Sequence, residues 1–411
     1  MKKGVSRILI LLAIVIVSNS CQERVENQLV LGEWWANLEV IESEILPFNF
    51  SLTSSENGDY KMVIRNSDEL ITVDDIEVFN DSILIKMPVF EGYIAGKYTD
   101  ETITGSFVKE SLDRIVPFNA EFGEKSRFEV KEVASINVSG IWEADFNIDG
   151  EKPYIAKGIF YQNDDIVTGT IRTTTGDYRF LEGVVDGSQL KLSTFDGAHA
   201  FLFTANVTDS TLNGLFYSGN HSVEKFTAKR NDAYELPDAN SLTFLNEGYE
   251  KFDFTFPDVN GNMISLSDEE FQDKVVLVQI MGTWCPNCLD ETKFYVEYLN
   301  KNPNPNLKMV ALAFEYARTE EKAFQGIQRL KDRVGVDYPI LLAQVGTDSK
   351  TKANEKLPML NHVLSYPTTV YIDKKGGVHK IHTGFNGPAT GEKYEEFKVE
   401  FEKTLQELLV E

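Results

Sequence analysis

Two cysteines separated by two residues, Cys285 and Cys288, are the residues of this sequence best suited to chemistry. They follow a continuous apolar run at 275–280, typical of a strand buried on both faces, and precede a stretch with helical character. At a helix start, unpaired N–H groups and the positive end of the helix dipole favour a thiolate. A thiolate attacks a disulfide, and a second thiol resolves the mixed disulfide. The spacing therefore predicts a redox-active dithiol, with Cys285 as nucleophile and Cys288 as resolving cysteine, that uses no other cofactor.

The residues around the pair fit this chemistry. Trp284 is expected to shield the sulfur on one side, and Pro286 restricts the loop and contributes no N–H group of its own. Half of a zinc site is the alternative for such a pair, but zinc needs two further ligands. The sequence has no second cysteine pair and no histidine near this one. Redox use is therefore favoured, and no metal is predicted.

The region that contains the pair, 251–411, alternates strands and helices. Strands are predicted at 275–280, 309–314, 371–373 and 378–383, and helices after the cysteine pair to about 300, at 319–334 and at 392–409. This alternation is typical of an α/β sheet covered by helices on both faces. The preceding polar segment, 231–250, shows no sustained periodicity and is interpreted as a linker.

The middle of the chain is predicted to be all β. Short runs alternate apolar and polar residues and are separated by turn signals such as the Asn-Gly at 57–58. The segment also matches itself, because the Gly-Glu-Trp at 32–34 returns as Gly-Ile-Trp at 140–142 and two further matches follow in order. We therefore predict two β-rich repeats, 28–130 and 136–230. Short connections favour antiparallel meanders that form a barrel or a sandwich.

Eight strands are predicted in the second repeat, at 140–148, 154–162, 165–172, 176–185, 188–194, 200–207, 210–217 and 222–229. The Gly-x-Trp at the head of each repeat resembles the opening strand of lipocalin-like barrels, which implies a barrel that holds a ligand. The sequence favours Trp34 and Trp142 as ordinary core residues instead. The acidic pairs at 74–75 and 164–165 are interpreted as solvated turn residues, because the ligand spacing of a calcium loop is missing. The β-rich region is thus interpreted as a scaffold, with ligand or polymer binding as the alternative.

The first 21 residues have the pattern of an export signal. Lys2, Lys3 and Arg7 precede an apolar run at 8–17, which is shorter than the roughly 20 residues that a spanning helix needs. The run leads to Cys21, and the pattern resembles a bacterial lipoprotein signal, which implies lipidation of that cysteine. The mature chain is then expected to be a periplasm-facing lipoprotein of the bacterial cell envelope, held at the membrane by acyl chains. An uncleaved anchor and plain secretion are the alternatives.

The composition excludes other classes of protein. The chain has 411 residues, enough for two or three domains, and 64 acidic against 40 basic residues give a net charge of −24. Such an acidic surface repels phosphate backbones, so nucleic-acid binding is excluded. Three cysteines are too few for a disulfide-stabilised scaffold, so the core must come from packing.

Residues 251–411 resemble thioredoxin-like domains, in particular the extracytoplasmic disulfide reductases of the TlpA/ResA type. The resemblance rests on Trp-Cys-Pro-Asn-Cys at 284–288, on the strand before it, and on Tyr-Pro-Thr-Thr-Val-Tyr-Ile-Asp at 366–373. It implies that Pro367 is a cis-proline packed against the dithiol, that Asn287 supports the dithiol, and that the backbone of Tyr366 pairs with a substrate strand. It also implies protein disulfides as substrates and a membrane protein as electron donor.

The sequence departs from this family in places. Gln279 stands where thioredoxins place a buried acid, and it cannot titrate, so water or another group must handle the proton of Cys288. Glu315 is a candidate by position, although a solvated loop acid is the interpretation that the sequence favours. The Gly-Val-Pro-Glu-Thr stretch of cytochrome-maturation members is absent, so cytochrome cysteines are only one substrate option.

The direction of electron flow is interpreted as reduction. The dipeptide between the cysteines, Pro286-Asn287, is neutral, and Asp290 and Glu291 early in the helix disfavour a thiolate. A copper chaperone that uses the same two thiols is an alternative. It would need a histidine facing them, and His362 is the one considered, but one imidazole with two thiols is a weak metal signature.

Overall fold

The first β-rich segment is a single antiparallel sheet of nine strands in the computed structural model, which describes residues 29–410. Its strands are β1 (Gly32–Glu39), β2 (Ile45–Ser54), β3 (Tyr60–Asn66), β4 (Glu69–Val73), β5 (Asp75–Phe79), β6 (Ser82–Lys86), β7 (Tyr93–Tyr98), β8 (Thr102–Lys109) and β9 (Arg114–Phe122). Their order in the sheet is β4-β3-β2-β1-β9-β8-β7-β6-β5. Alternate residues point to one face, so Trp34, Phe48, Phe50 and Phe118 lie fully buried together as the core of this segment.

The second β-rich segment closes into a barrel. Its strands are β10 (Gly140–Phe146), β11 (Tyr154–Asn163), β12 (Ile166–Thr173), β13 (Gly176–Asp177), β14 (Leu181–Asp186), β15 (Gln189–Phe195), β16 (Ala200–Val207), β17 (Thr211–Ser218) and β18 (Ser222–Arg230). Strand β11 pairs with both β10 and β12, so all strands except β13 form a closed ring. Inside the ring, Phe146 stacks on Phe226 with centroids 4.8 Å apart, and Phe203 stacks on Phe216 at 4.6 Å. Aromatic side chains thus fill the barrel as a packed hydrophobic core.

The predicted strands of this segment correspond to observed strands, with one exception. The predicted strand 176–185 is divided into β13 and β14, because the chain leaves the ladder around Arg179, whose φ is +60°. The two tryptophans of the Gly-x-Trp patterns are fully buried, and each donates its indole N–H to a carbonyl four residues earlier. Trp34 and Trp142 are therefore core residues, as the sequence favoured.

The outer face of the barrel packs against the core of the first segment. Phe195 of β15 lies against Phe48 and Phe107, with ring centroids 4.7 Å and 5.0 Å away. One hydrophobic cluster runs from the first sheet through these rings into the C-terminal region. The two β-rich segments therefore share a core.

The C-terminal region is a five-stranded sheet flanked by helices. Its elements are β19 (Thr255–Pro257), β20 (Met263–Ser265), β21 (Val275–Met281), α1 (Pro286–Lys301), β22 (Leu307–Phe314), α2 (Glu320–Val334), β23 (Ile340–Gln344), α3 (Lys350–Lys356), β24 (Thr368–Ile372), β25 (Val378–Thr383) and α4 (Glu392–Val410). The sheet order is β23-β22-β21-β24-β25, with β21 to β23 parallel and β24 antiparallel to both its neighbours. All seven residues of β21 are buried, as expected of a strand covered on both faces.

The segment predicted to be a linker is attached to the C-terminal sheet region. Leu245 forms a β-bridge with Leu360, and the side-chain amide of Asn246 donates to the carbonyl of Leu360 at 2.9 Å. Within residues 29–410, no helix has the length and apolar character that a bilayer crossing requires. The predicted signal segment and Cys21 lie outside the described residues.

Candidate active site

The two cysteines lie where β21 gives way to α1. Cys285 is the N-cap residue of α1, and its Sγ accepts a hydrogen bond from the backbone N–H of Cys288 at 3.2 Å. Both are free thiols; Cys285 is 7% exposed and Cys288 is fully buried. An N-cap sulfur receives the positive end of the helix dipole and a backbone N–H, which both stabilise negative charge. Burial raises the pKa of Cys288 well above its usual value, and the nearby Cys285 and Glu291 raise it further.

The loop before β24 faces the cysteines from the other side. The Tyr366–Pro367 peptide bond is cis, and the thiol of Cys285 donates to the carbonyl oxygen of Tyr366 at 3.4 Å. The indole N–H of Trp284 donates to the carbonyl of Phe314 at 2.9 Å, and its ring meets the Tyr366 ring edge to face with centroids 5.7 Å apart. Two motifs that are 81 residues apart in the chain therefore form one site.

A buried carboxyl group lies below the second cysteine. Glu291, three residues after Cys288 and on the same side of α1, is fully buried. Its carboxylate accepts hydrogen bonds from Gln279 at 2.8 Å, from Tyr295 at 3.0 Å and from Thr369 at 3.0 Å. Burial raises the pKa of Glu291 to about 7, against the opposing effect of these three donors. From the sequence, Glu291 was interpreted as a charge that opposes the thiolate. Its burial on the Cys288 side of α1 was not predicted, although the i, i+3 spacing from Cys288 is a signal for it.

Glu315 is buried rather than solvated, so the interpretation that the sequence favoured was wrong. It is 3% exposed because it follows β22 directly into the interior of the site. Its carboxylate accepts from the backbone N–H of Thr283 at 2.7 Å and from the hydroxyl of Thr283 at 2.8 Å. Burial raises the pKa of Glu315 to about 7. These bonds fix the loop two residues before Cys285, which makes Glu315 a positioning residue for that loop.

The chain itself covers the dithiol with residues 173–179, which we call the covering hairpin. The hydroxyl of Ser365 donates to the carbonyl of Thr175 at 2.7 Å, beside the cis-proline loop. The side-chain amide of Asn287, between the two cysteines, donates to the carbonyl of Asp177 at 3.0 Å. On the far side, the carboxylate of Asp177 accepts from the backbone N–H of Gly387 at 2.7 Å. The hairpin of the β-barrel thus touches both motifs of the site, and the sequence did not predict it.

A buried arginine fastens the covering hairpin to α1. Arg179 is 5% exposed and donates to the carbonyl of Pro286 at 3.1 Å. It also forms ion pairs with Asp290 of α1 and with Glu69 of the first segment, and its Nε lies 3.4 Å from Asp196. Burial raises the pKa of Asp290, while Arg179 lowers it. The expectation that Asp290 opposes the thiolate was therefore wrong, because a guanidinium from another segment compensates its charge.

The histidine considered for metal binding has another partner. The Nε2 atom of His362 lies 3.0 Å from the carbonyl oxygen of Leu242. His382 is buried, and its Nδ1 lies 3.0 Å from the side-chain oxygen of Asn240. Across residues 29–410, no three His, Cys, Asp or Glu side chains are arranged to hold a metal ion.

Comparisons with known proteins agree with this site. Residues 247–397 match the family model described as Redoxin. The thioredoxin-like protein YneN of Bacillus subtilis (strain 168) is 31% identical over 140 residues, which are 34% of this chain and 73% of that protein. The thiol-disulfide oxidoreductase ResA of Halalkalibacterium halodurans is 26% identical over 142 residues, 33% of this chain and 68% of the relative.

Among solved structures, a thiol-disulfide oxidoreductase from Bacteroides fragilis matches with 19% identity and a TM-score of 0.27, covering 36% of this chain and 99% of that one. The sequence match to YneN extends over nearly three quarters of that protein. The match to the Redoxin family model includes the two cysteines and the cis-proline loop. Through its C-terminal region, the chain belongs to the thioredoxin-like thiol-disulfide oxidoreductases.

Proposed function

We propose that this chain is a membrane-tethered, extracytoplasmic oxidoreductase that reduces protein disulfides with Cys285 and Cys288. The observation that carries the proposal is the position of the Cys285 sulfur. It caps the start of α1 and lies 3.4 Å from the carbonyl of Tyr366, next to the cis-proline Pro367. A substrate disulfide that reaches this point meets a sulfur at a helix start and a backbone edge able to hold an extended chain.

The reaction proceeds by two exchanges. The Cys285 thiolate attacks one sulfur of the substrate disulfide, a new S–S bond forms, and the other substrate sulfur leaves as a thiolate. Cys288 then loses its proton and attacks the Cys285 sulfur, which releases the second substrate sulfur. Two electrons have moved to the substrate, and the enzyme is left with a Cys285–Cys288 disulfide. A reductant has to restore the dithiol, and we propose a membrane protein as that electron donor.

Glu291 is the group we propose to take the proton of Cys288. A fully buried thiol attacks only after it loses its proton, and burial disfavours that loss. Glu291 lies in the same buried layer, and its pKa of about 7 suits proton exchange near neutral pH. Gln279 holds it in place, because its amide donates to Glu291 and lies 3.5 Å from the carbonyl of Cys288.

Reduction is the proposed direction because the dipeptide between the cysteines carries no cation that would stabilise a thiolate. Asn287 is neutral, and its amide is already bonded to Asp177. The pair is therefore expected nearer the reducing end of the range from about −270 to −120 mV that thioredoxin-like dithiols span. A measured potential near −120 mV would assign the chain to the oxidants instead.

We also propose that the β-rich region arose as two lipocalin-like repeats and now works as a scaffold that presents the site. The closed barrel has an aromatic core, and its hairpin contacts Asn287, which lies between the two cysteines; this contact supports a role in controlling access. Attachment to the envelope rests on the signal pattern that ends at Cys21. Replacing Cys21 by alanine should move the protein from the membrane fraction to the soluble fraction, and intact-mass analysis should show loss of the acyl chains.

Reduction of insulin disulfides by the full chain tests the catalytic proposal. Because only a thiolate at position 285 starts the exchange, Cys285→Ser should lose at least about 1000-fold in rate, while Cys288→Ser should accumulate a mixed disulfide visible on a non-reducing gel. Wild type and Cys285→Ser acting at equal rates would overturn the proposal.

A further inference from the structure

A cavity of about 230 Å³ opens where the two β-rich segments and the C-terminal region meet. The first segment contributes the end of β8 and the start of β9. The barrel contributes residues 198–201 and 218–221, and the C-terminal region contributes Trp284, Tyr316 and Asp348. Trp284 immediately precedes the nucleophilic cysteine, so this cavity borders the redox site on its indole side.

Two cations, Lys109 and Arg114, line the cavity. Lys109 is 8% exposed, and its Nζ donates to the carbonyl oxygen of Ala198 at 3.1 Å. Neither Lys109 nor Arg114 has a carboxylate within ion-pairing distance among the described residues. Burial lowers the pKa of Lys109 to about 8, and Arg114 lowers it further. The one acidic residue on the described lining is Asp348, which is exposed at the rim.

Two histidines also line this wall. Burial lowers the pKa of His221 to about 4, and Arg114 and Lys109 lower it further, so His221 is neutral at pH 7. His199 lies beside it on the lining, with its Nδ1 3.3 Å from the carboxylate of Asp196. Two cations against one acidic residue on the described lining favour an anionic ligand, although the whole chain has a net charge of −24.

The rest of the lining is apolar and aromatic. Phe107 and Val116 are buried, and Phe201 is buried in the wall that the barrel contributes. A small inorganic anion would make no apolar contacts with these side chains. A ligand with an apolar ring and one anionic end would satisfy both parts of the cavity.

We propose that this cavity binds an aromatic carboxylate, with its ring between Phe107 and Phe201 and its carboxylate on Lys109 and Arg114. The carboxylate gains charge-assisted hydrogen bonds from two cations that otherwise lack an anionic partner. Such a group has two sources, a free small molecule or the C-terminal carboxylate of a polypeptide substrate that ends in an aromatic residue. The second source would make the cavity a specificity site and rests on the proposed disulfide reductase function.

Calorimetric titration of the full chain with 4-phenylbutyrate and with its neutral amide tests the binding. The carboxylate should bind at least about 10-fold more tightly than the amide, because the amide forms no charge-assisted bonds. Arg114→Gln and Lys109→Met should each weaken the carboxylate about 10-fold or more. Lys97→Gln, which removes the same charge from an exposed pair with Asp81, is the matched control and should bind as wild type does.

Equal affinity for the acid and the amide, no binding of either at millimolar concentration, or unchanged affinity in Arg114→Gln would overturn the proposal. Arg114 is half-buried, so its replacement keeps the test decisive if Lys109→Met fails to fold. Binding should also raise the pKa of His221, measured by NMR, because the bound anion offsets the positive charges of Lys109 and Arg114.

A second experiment identifies the source. Two disulfide-linked peptides that end in phenylalanine, one with a free carboxylate and one amidated, are compared as substrates. Faster reduction of the free acid, by about 10-fold in kcat/KM, assigns the cavity to a polypeptide end, whereas equal rates alongside tight 4-phenylbutyrate binding assign it to a small molecule. If neither peptide is reduced, the reductase proposal fails while the titration still decides whether the cavity binds a carboxylate.

Discussion

The C-terminal region and the β-barrel contribute to the redox site in different ways. In the C-terminal region, local geometry sets the chemistry: a helix start receives Cys285, and a cis-proline loop faces it. In the barrel, a hairpin far away in the sequence contacts both motifs of the site. The reactive pair is thus formed by short stretches of chain, and its surroundings are formed by contacts between segments.

The strongest test of this division is Arg179→Met, which removes the cation at the centre of the barrel contact. Glu69, Asp196 and Asp290 would then face one another without a partner, and breaking a buried ion pair costs about 3–5 kcal/mol. Urea unfolding should show a loss of this size, and iodoacetamide should alkylate Cys285 faster as the hairpin loosens. Arg318→Met is the control, because Arg318 also joins two segments, but through an exposed pair with Asp113. Equal losses in the two variants would show that burial of the network contributes nothing.

Glu291→Gln tests the claim that the C-terminal region sets the chemistry alone. The pKa of Glu291 rises from 4.5 to about 7 on folding, so the folded state holds a proton that the unfolded state releases between these values. Stability therefore falls as the pH rises from 4.5 to 7, by about 3 kcal/mol at 1.36 kcal/mol per pKa unit. Glu315, whose pKa is also raised to about 7, adds a fall of similar size. Urea unfolding at pH 5 and pH 8 should therefore show a fall in stability that is about 3 kcal/mol smaller in the variant than in wild type. A fall of the same size in Glu291→Gln would locate the proton elsewhere.

Gly384→Ala probes access with a smaller expected effect. Gly384 has a φ of +78°, and a Cβ there would lie 2.9 Å from the backbone of Thr175, so the covering hairpin has to move away. Alkylation of Cys285 should then be up to about 10-fold faster, which corresponds to about 1.4 kcal/mol. Gly376→Ala has nearly the same φ, +81°, but its Cβ would meet only the Lys251 side chain at ordinary contact distance. Acceleration in both variants would mean that backbone strain, not the hairpin contact, opens the site.

The features that the sequence predicted well depend on neighbours in the chain. The alternation of apolar residues located the strands of the barrel, and the strand before Cys285 was visible as a continuous apolar run. The division of the predicted strand 176–185 at Arg179 was missed, because nothing in its neighbours requires a positive φ.

The features that the sequence missed depend on distant contacts. The partner of Asp290 is Arg179, more than a hundred positions earlier, so no local pattern indicates that the acid is buried and compensated. Glu315 looked like a loop acid because its two hydrogen bonds go to Thr283 in another loop. Sequence patterns thus indicate which residues do chemistry, while the state of nearby charges needs the three-dimensional structure.

Phe195 has a consequence for how this molecule can be divided. Its ring belongs to a barrel strand by sequence, yet it completes the aromatic cluster of the preceding sheet. A fragment cut between the two β-rich segments would leave Phe48 and Phe107 open to water on one side and would be prone to self-association. The two β-rich segments are therefore expected to fold together, although the sequence pattern divides them.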